Sequence, residues 1–354
     1  MTDSNQIMND LAPSNIPYAY GGPLISGSLR DQPADFFVEE NLGFEPEGEG
    51  EHVFLWIEKT DINTQQLAGD IARLAKLPTR QVSYAGMKDR RAVTRQWFSV
   101  HLPGQDNIDW QALNSGQVRL LKQVRHLRKL RRGAHRGNRF VIIINDVSGD
   151  TSQLASAVAT IARRGVPNFF GEQRFGYGGS NLMRARQLFS GQFKPKKHQR
   201  GLYLSAARAY LFNQVLAQRV EANNWDQLTS GELLMLNGSH SVFAQGDTID
   251  LDARLLDGDI HLTGPLYGKS GSLAPTAEVA AMEADILQAT PDFTAGLLQA
   301  GLKAERRALR LLPVDLQAQL SERQLTLSFA LPTGCFATAL VRELVNYTET
   351  HNHV

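Results

Sequence analysis

The sequence is short of cysteine and of long apolar runs, and each shortage excludes a class of protein. Cys335 is the single cysteine among 354 residues, which excludes an internal disulfide framework and a zinc site built from several cysteines. No stretch of about 18 residues is continuously apolar, and residues 1–18 lack the basic start and apolar middle of a secretory signal. We therefore expect a cytoplasmic protein, outside the membrane, with a loose polar N-terminal tail of about 15 residues.

Motifs that bind nucleotides or metals are also missing. GPLYGKS (264–270) has three residues between its first glycine and Gly-Lys-Ser, where a phosphate-binding P-loop requires four. RFGYGGSN (174–181) does not fit the dinucleotide fingerprint and is better interpreted as a tight turn. His351 and His353 lie in the C-terminal tail without an HExxH or Cys/His set, and Cys335 is interpreted as a small buried residue.

The overall charge is close to zero, so a surface for nucleic acid has to come from local clusters of cations. The net charge is +1. Segment 122–139 contains no acid and has eight cations, namely Lys122, Arg125, Arg128, Lys129, Arg131, Arg132, Arg136 and Arg139. A second basic segment, 193–200, has Lys194, Lys196, Lys197 and Arg200. A charge run is usually a solvated surface, but cations in line also release counterions from a polyanion, so we predict that both segments bind RNA phosphates.

Periodicity predicts a strand-rich protein with a helix-rich middle. A hydrophobic share of 42% allows a sizeable core, and the length allows two domains. Alternation predicts strands at 52–59, 82–86, 95–102 and 325–331, and the continuous apolar run predicts a central strand, buried on both faces, at 139–147. Helical spacing predicts helices within 60–78, 205–222 and 336–348, and a helix-rich region at 275–312. The change in pattern indicates a separate domain inserted between about 165 and 310.

One carboxylate, Asp89, stands among cations in YAGMKDRRAVTRQWF (84–98), on the connection between two predicted strands. The ordinary interpretation is a salt bridge to Lys88 or Arg90. The alternative is that the cations keep the carboxylate ionised, so that it acts as a nucleophile or a base. Geometry would decide between the two.

Three phenylalanines lie beside polar or basic residues, at Phe36, Phe140 and Phe336. Each one alone is more typical of a core. A base taken out of its stack, however, needs flat partners and a polar group that reads its edge, and Asn138 is a candidate for that group.

Five motifs in order resemble those of the TruD family of tRNA pseudouridine synthases: ADFFVEE, YAGMKDRRAVTRQ, RRGAHRGNRF, VPNFFGEQRFG and TGCFATALVRELVN. The resemblance covers nearly the whole chain apart from its first dozen or so residues. It implies that Asp89 is the catalytic nucleophile. It also implies a set of substrate-binding residues, among which we place Phe36, Asn138, Phe140, Phe336, Lys88 and Arg30.

The resemblance also implies a fold and a reaction. The fold would be α+β, with a pseudouridine-synthase catalytic domain of residues 1–164 and 311–354 around a mixed, mainly antiparallel sheet. An inserted α/β TRUD domain would span residues 165–310. The reaction would isomerise uridine 13 in the D arm of tRNA, with no cofactor and no metal, and we expect a monomer.

Two other classes of function stay open at this point. A non-catalytic RNA-binding or RNA-chaperone protein would use the same basic segments and would not depend on Asp89. A metal-dependent nuclease would need a cluster of carboxylates, and Asp89 has no acidic neighbour in sequence with which to share a metal.

Overall fold

The structure is a computed structural model that describes residues 15–104, 107–239, 241–246, 250–271 and 273–349. The predicted N-terminal tail lies outside these residues except for its last position, and His351 and His353 lie outside them too. None of the helices within these ranges is both long enough and apolar enough to cross a membrane.

The described residues form both strands and α-helices. The strands are β1 (Ile25–Leu29), β2 (Phe36–Asn41), β3 (His52–Thr60), β4 (Val82–Tyr84), β5 (Val93–His101), β6 (Val118–His126), β7 (Gly137–Gly149), β8 (Val166–Pro167), β9 (Leu233–Leu236), β10 (Val242–Ala244), β11 (Ile260–Leu266), β12 (Glu305–Ala308), β13 (Arg310–Leu311), β14 (Val314–Ser321), β15 (Gln324–Pro332) and β16 (Val345–Glu349). The α-helices are α1 (Thr64–Leu74), α2 (Leu154–Arg164), α3 (Ser180–Phe189), α4 (Lys197–Glu221), α5 (Leu251–Leu256), α6 (Ala277–Gln288), α7 (Pro291–Gln299) and α8 (Ala337–Leu344).

The chain forms two compact units. The sheet unit consists of Pro23–Ala162, Pro313–Gly334 and Leu344–Val354. The helix-rich unit consists of Met1–Gly22, Arg163–Leu312 and Cys335–Glu343. Which segments make up a catalytic domain and which an inserted TRUD domain stays a prediction.

The sheet unit is built on a ten-stranded mixed sheet. Its strand order is β14-β15-β7-β2-β5-β3-β6, with β1 pairing to β7 and β16, and with β4 pairing to β5. The pairs β1–β16 and β2–β5 are parallel, and the other described pairs in this sheet are antiparallel. This arrangement confirms the predicted α+β class with a mixed, mainly antiparallel sheet.

Helix α1 confirms the helix that the spacing predicted within 60–78, and its apolar residues share a core with one face of this sheet. It begins after Asn63, whose side chain accepts a hydrogen bond from the backbone nitrogen of Gln65 and so caps the helix. Leu67 and Ile71 of the helix pack against alternate residues of β3, namely Val53, Leu55 and Ile57. The burial of Val53, Leu55 and Ile57 fixes the face of β3 that points toward α1.

Two predictions about individual elements are wrong. The strand predicted at 139–147 is central, but it alternates: Ile142 and Ile144 are buried, whereas Val141 and Ile143 are partly exposed. An antiparallel sheet can leave one face partly solvated, and an apolar run alone does not reveal this. The helix predicted at 336–348 ends at Leu344, because residues from Val345 onward pair with β1 as strand β16.

The helix-rich unit packs around α4, which is 25 residues long. Its core includes Phe212, Leu216 and Trp225, and a four-stranded sheet of order β10-β9-β11-β12 packs against the same core. The glycines of RFGYGGSN have left-handed backbone at Gly176, Gly178 and Gly179 and lead into α3, which confirms the tight turn. GPLYGKS begins inside β11 and opens no α-helix.

Candidate active site

The connection between β4 and β5 carries Asp89 and is held from two sides. The backbone nitrogen of Lys88 donates to Oγ1 of Thr64, the first residue of α1, over 3.0 Å. The side chain of Gln96 on β5 donates from Nε2 to the backbone oxygen of Gly86 over 3.2 Å. Thr64 and Gln96 are both buried, so these contacts fix the position of the loop residues that precede Asp89.

Two buried cations hold Asp89 itself. Arg30 donates from Nη2 to Oδ2 of Asp89 over 2.8 Å, and Lys59 donates from Nζ to the backbone oxygen of Asp89 over 2.9 Å. The Asp89 side chain is 35% exposed, whereas that of Arg30 is 7% exposed. A carboxylate that is open to solvent but fixed by buried donors is available to attack or deprotonate a substrate.

Arg30 lies at the point where several segments of the sheet unit meet. It follows strand β1 and has a left-handed backbone, with φ of 62°. Its Nη1 atom lies 3.2 Å from Oε1 of Glu349, the last residue of β16, and its guanidinium carbon lies 3.9 Å from the ring centroid of Phe36. The guanidinium therefore lies over an aromatic face and bridges two carboxylates.

Neither cation next to Asp89 in sequence pairs with it. Lys88 donates from Nζ to Oε2 of Glu40 over 2.6 Å, in a fully buried ion pair, and Arg90 contacts Asp61 over 3.3 Å. The interpretation of Asp89 as a salt-bridge partner of its sequence neighbours is therefore wrong, because its partner is Arg30. Burial raises the pKa of Glu40, and the charge of Lys88 opposes that rise.

Lys59 is fully buried on strand β3. Burial lowers the pKa of its ammonium group to about 8, and the negative charge of Asp89 acts in the opposite direction. An ammonium group in this position is costly unless its hydrogen bonds are made, and the described acceptor is the Asp89 carbonyl.

Two of the predicted phenylalanines meet beneath Arg30. Phe36 on β2 and Phe140 on β7 are both buried, and their ring centroids lie 6.2 Å apart at an angle of 77°. Phe140 in turn stacks on Phe329 of β15, with centroids 5.4 Å apart. These rings form an apolar support on which the Arg30 guanidinium rests.

Asn138 lies on β7, paired with Glu40 on one side and Leu331 on the other. Its side-chain oxygen is buried and accepts no hydrogen bond from the residues that the structure describes. A buried amide oxygen without a donor is costly, and a substrate group could supply the missing hydrogen bond.

Phe336 belongs to the helix-rich unit. It is partly exposed just before helix α8, and its ring lies edge-on to Phe170, with centroids 6.1 Å apart. The neighbouring Cys335 is partly exposed, so the small buried residue predicted there is only partly confirmed, although the burial of its thiol raises the thiol pKa. The predicted site residues are thus divided: Asp89, Phe36, Asn138, Phe140, Lys88 and Arg30 lie in the sheet unit, and Phe336 lies in the other.

Lys59, Glu349 and Glu40 also belong to this site and were not predicted from the sequence. A signal for Lys59 was available, because it continues the inward-facing alternation of Val53, Leu55 and Ile57 and is the one charged residue in that row. Glu349 carried no local signal, since its contact with Arg30 depends on the pairing of β16 with β1.

The predicted basic segments are largely exposed. In segment 122–139 seven cations are exposed, and Arg125 is partly buried, where it donates to backbone oxygens of Gly50, Leu102 and Gly104. Lys194, Lys196, Lys197 and Arg200 of the second basic segment are exposed. Across the described ranges, His, Cys, Asp and Glu side chains form no group of three or more that could hold a metal ion.

Comparison with known proteins finds one matching family model and similar proteins of known name. A family model described as tRNA pseudouridine synthase D (TruD) matches residues 15–194 and 194–344. The chain is 46% identical over 332 residues to tRNA pseudouridine synthase D of Stutzerimonas stutzeri, covering 93% of this chain and 96% of that protein. It is 42% identical over 338 residues to the protein of the same name from Hydrogenovibrio crunogenus, covering 95% and 97%.

A solved structure from Methanosarcina mazei, described as a candidate tRNA pseudouridine synthase D, has a similar fold. Its TM-score against this chain is 0.70 at 22% sequence identity, and the match covers 92% of this chain and 95% of that one. At this identity the likeness shows a shared fold.

Proposed function

The chain belongs to the tRNA pseudouridine synthase D family, and on that premise we propose that it isomerises uridine 13 in the D arm of tRNA to pseudouridine. Asp89 is the nucleophile, and the reaction uses no cofactor and no metal. The observation that carries this proposal is the geometry of Asp89, a partly exposed carboxylate that Arg30 and Lys59 fix from the buried side.

The isomerisation conserves every atom of the uridine. The bond from N1 to C1′ breaks, the base turns while still bound, and C5 forms the new bond to C1′. C5 then loses its proton, and N1 takes up a proton. Asp89 either attacks C1′ or the base, or removes the proton from C2′, and all three routes need the same fixed carboxylate.

The remaining predicted residues have proposed roles that fit their positions. Phe36 and Phe140 support the Arg30 guanidinium and keep the bound base in an apolar surrounding. Asn138 orients the base or the ribose through its unused amide oxygen. Phe336 contacts the extruded base from its partly exposed position. Lys88 stays a predicted substrate contact, although its ion pair with Glu40 favours a role in holding the loop.

The substrate is a polyanion, and the exposed cations of the two basic segments suit it. Phosphate contacts from these segments would hold the tRNA, while the residues around Asp89 act on one nucleotide. We further propose that the protein acts as a monomer in the cytoplasm. Residues 1–164 and 311–354 would form the catalytic domain, and residues 165–310 the inserted TRUD domain.

The decisive experiment compares two substitutions of the same kind. Asp89→Asn removes the nucleophile, whereas Asp61→Asn changes another aspartate that also contacts an arginine. An unmodified tRNA is incubated with each protein, and pseudouridine is mapped by carbodiimide-blocked primer extension. We expect a stop in the D arm for wild type and Asp61→Asn, no stop for Asp89→Asn, and tRNA binding by all three.

Two outcomes would support other functions. Binding of tRNA by the wild type with no pseudouridine in the D arm would favour the non-catalytic RNA-binding protein. Strand cleavage that a chelator abolishes would favour the nuclease.

A further inference from the structure

Arg174 of the helix-rich unit is a cation in an aromatic surrounding, without an acidic partner among the described residues. It ends the short 3-10 turn Glu172–Arg174, and its guanidinium carbon lies 5.4 Å from the ring centroid of Phe170 and 6.0 Å from that of Phe336. Its Nη1 atom donates to the hydroxyl of Ser205 over 3.2 Å. Its Nε atom is buried and has no acceptor in the described part of the chain.

The charge of Arg174 is not compensated from within the described chain. Burial lowers its pKa, and no described carboxylate lies close enough to oppose that effect. Two other half-buried arginines of the same unit do have acids: Arg186 contacts Asp292 over 2.7 Å, and Arg254 contacts Asp259 over 2.6 Å. A partly desolvated guanidinium whose described partner is one hydroxyl still has donors for an anion.

A second guanidinium adds positive charge at the same place. Arg307 lies 4.1 Å from the ring centroid of Phe170, and its Nη2 donates to Oδ1 of Asn168 over 2.6 Å. Burial, together with the charge of Arg174, lowers the pKa of Arg307 to about 10. The acidic group that opposes this shift is the Cys335 thiol, whose own pKa burial raises, so that it is neutral near pH 7. Two like charges beside one ring repel each other, and a bound anion would offset that repulsion.

We infer that Arg174 binds one backbone phosphate of the RNA substrate beside Phe336. The inference rests on the proposed function, since it takes RNA as the ligand. A planar guanidinium presents paired donors that match two phosphate oxygens, and the flanking rings hold the guanidinium plane in place. Phe336 then contacts a base while Arg174 holds the backbone next to that base.

Neutralising single phosphates tests this contact. A series of tRNAs is prepared, each with one uncharged methylphosphonate linkage in or next to the D arm, and their affinities for the full-length protein are measured. We expect wild type to lose about tenfold in affinity at one linkage, the size expected for a charge-assisted hydrogen bond. Arg174→Gln should bind the tRNA with all its natural phosphates about tenfold more weakly than wild type does. The neutral linkage should then weaken its binding no further, because Arg174 and that phosphate act as one pair.

The matched control is Arg254→Gln, which removes one charge from the same unit at a position already paired with Asp259. It should keep the affinity of the wild type and its full sensitivity to the neutral linkage. If Arg174→Gln shows the same loss as wild type at every linkage, the phosphate contact is refuted.

Folding and catalysis are kept separate from this result. If Arg174→Gln unfolds, Arg174→Lys replaces it, because lysine preserves the charge. The Lys variant should keep the salt dependence of tRNA binding and lose only part of the tenfold affinity at the sensitive linkage. If each neutral linkage leaves the affinity of the Lys variant for tRNA unchanged, the contact is refuted. The measurement concerns binding only. If pseudouridine forms but the affinity losses from Arg174→Gln and from the neutral linkage simply add, this inference alone is overturned. If those two losses do not add but no pseudouridine forms, the proposed reaction alone is overturned.

Discussion

Nη2 of Arg30 lies 2.8 Å from Oδ2 of Asp89, although the two residues are 59 positions apart in sequence. The same guanidinium lies over the ring of Phe36 and contacts Glu349. The position of the proposed nucleophile therefore depends on three strands that end near one another rather than on its own loop alone.

Replacing Arg30 should slow catalysis more than it weakens RNA binding. Arg30→Met removes the charge-assisted hydrogen bond to Asp89, and a loss of about 3 kcal/mol in the transition state corresponds to roughly a hundredfold lower turnover. Arg30→Lys keeps the charge but cannot contact both Asp89 and Glu349 with a flat fork, so it should recover part of the activity. Single-turnover rates and tRNA affinities measure the two effects separately, and equal rates for the Lys and Met variants would contradict this account.

Lys59→Met should lower activity without lowering stability. The substitution removes the donor to the Asp89 carbonyl, but it also removes an ammonium group that burial makes costly. We expect turnover to fall about tenfold or more, with tRNA affinity unchanged and the melting temperature equal or higher. A parallel loss of stability and activity would contradict this expectation.

The pH dependence of stability offers a second test of Lys59. Its pKa is about 8 in the folded protein, against an ordinary value of 10.5 for an exposed lysine, so between these values the unfolded chain binds more protons. The contribution of Lys59 to stability therefore rises with pH across that window. The advantage of Lys59→Met over wild type, measured by urea unfolding, should shrink between about pH 8 and pH 10. An advantage that stays constant over this range would contradict the lowered pKa.

The ion pair between Lys88 and Glu40 should matter mainly for folding. Lys88→Met leaves a buried carboxylate without its cation and should cost about 3 to 5 kcal/mol of stability. The double variant Lys88→Met with Glu40→Gln should regain most of that loss, because the amide keeps an acceptor for the backbone nitrogen of Trp97. Weak tRNA binding by the refolded double variant would support the predicted contact between Lys88 and the substrate.

Glu343 should make the helix-rich unit less stable as the pH rises. Burial raises the pKa of this carboxyl to about 7 from an ordinary value of 4.5, so the folded state holds the extra proton between these values. The contribution of Glu343 to the free energy of unfolding is fully present below about pH 4.5 and is lost as the pH rises through 7. The loss is of the order of 3 kcal/mol. Glu343→Gln should remove that loss, which thermal unfolding at pH 5 and pH 8 would measure. A constant difference from wild type across this range would contradict the assignment.

The sequence was sufficient for elements whose signal is local. Alternation located strands β3, β5 and β15, and the cap at Asn63 with its apolar spacing located helix α1. The class of fold was what the resemblance carried by the ordered motifs implied. Asp89 stood out because one acid among several cations is visible without any knowledge of the fold.

The rest depended on tertiary contacts. Leu340, Val341, Leu344 and Val345 fit one helical face, yet strand pairing with β1 takes over at Val345. The partner of Asp89 could not be read from the sequence either, because Lys88 and Arg90 are nearer along the chain and both pair elsewhere. Only the fold brings Arg30 and Lys59 to the same loop.

The pairing of β1 with β16 limits how early during synthesis the contact between Arg30 and Glu349 can form. Arg30 and Glu349 are 319 positions apart, and a ribosome that adds about 5 to 20 residues per second needs roughly 15 to 65 seconds to connect them. Throughout that interval β1 has been synthesised but its parallel neighbour has not. A nascent chain can therefore expose Asp89 to RNA well before Arg30 contacts Glu349, and we expect modification to wait until β16 has been synthesised.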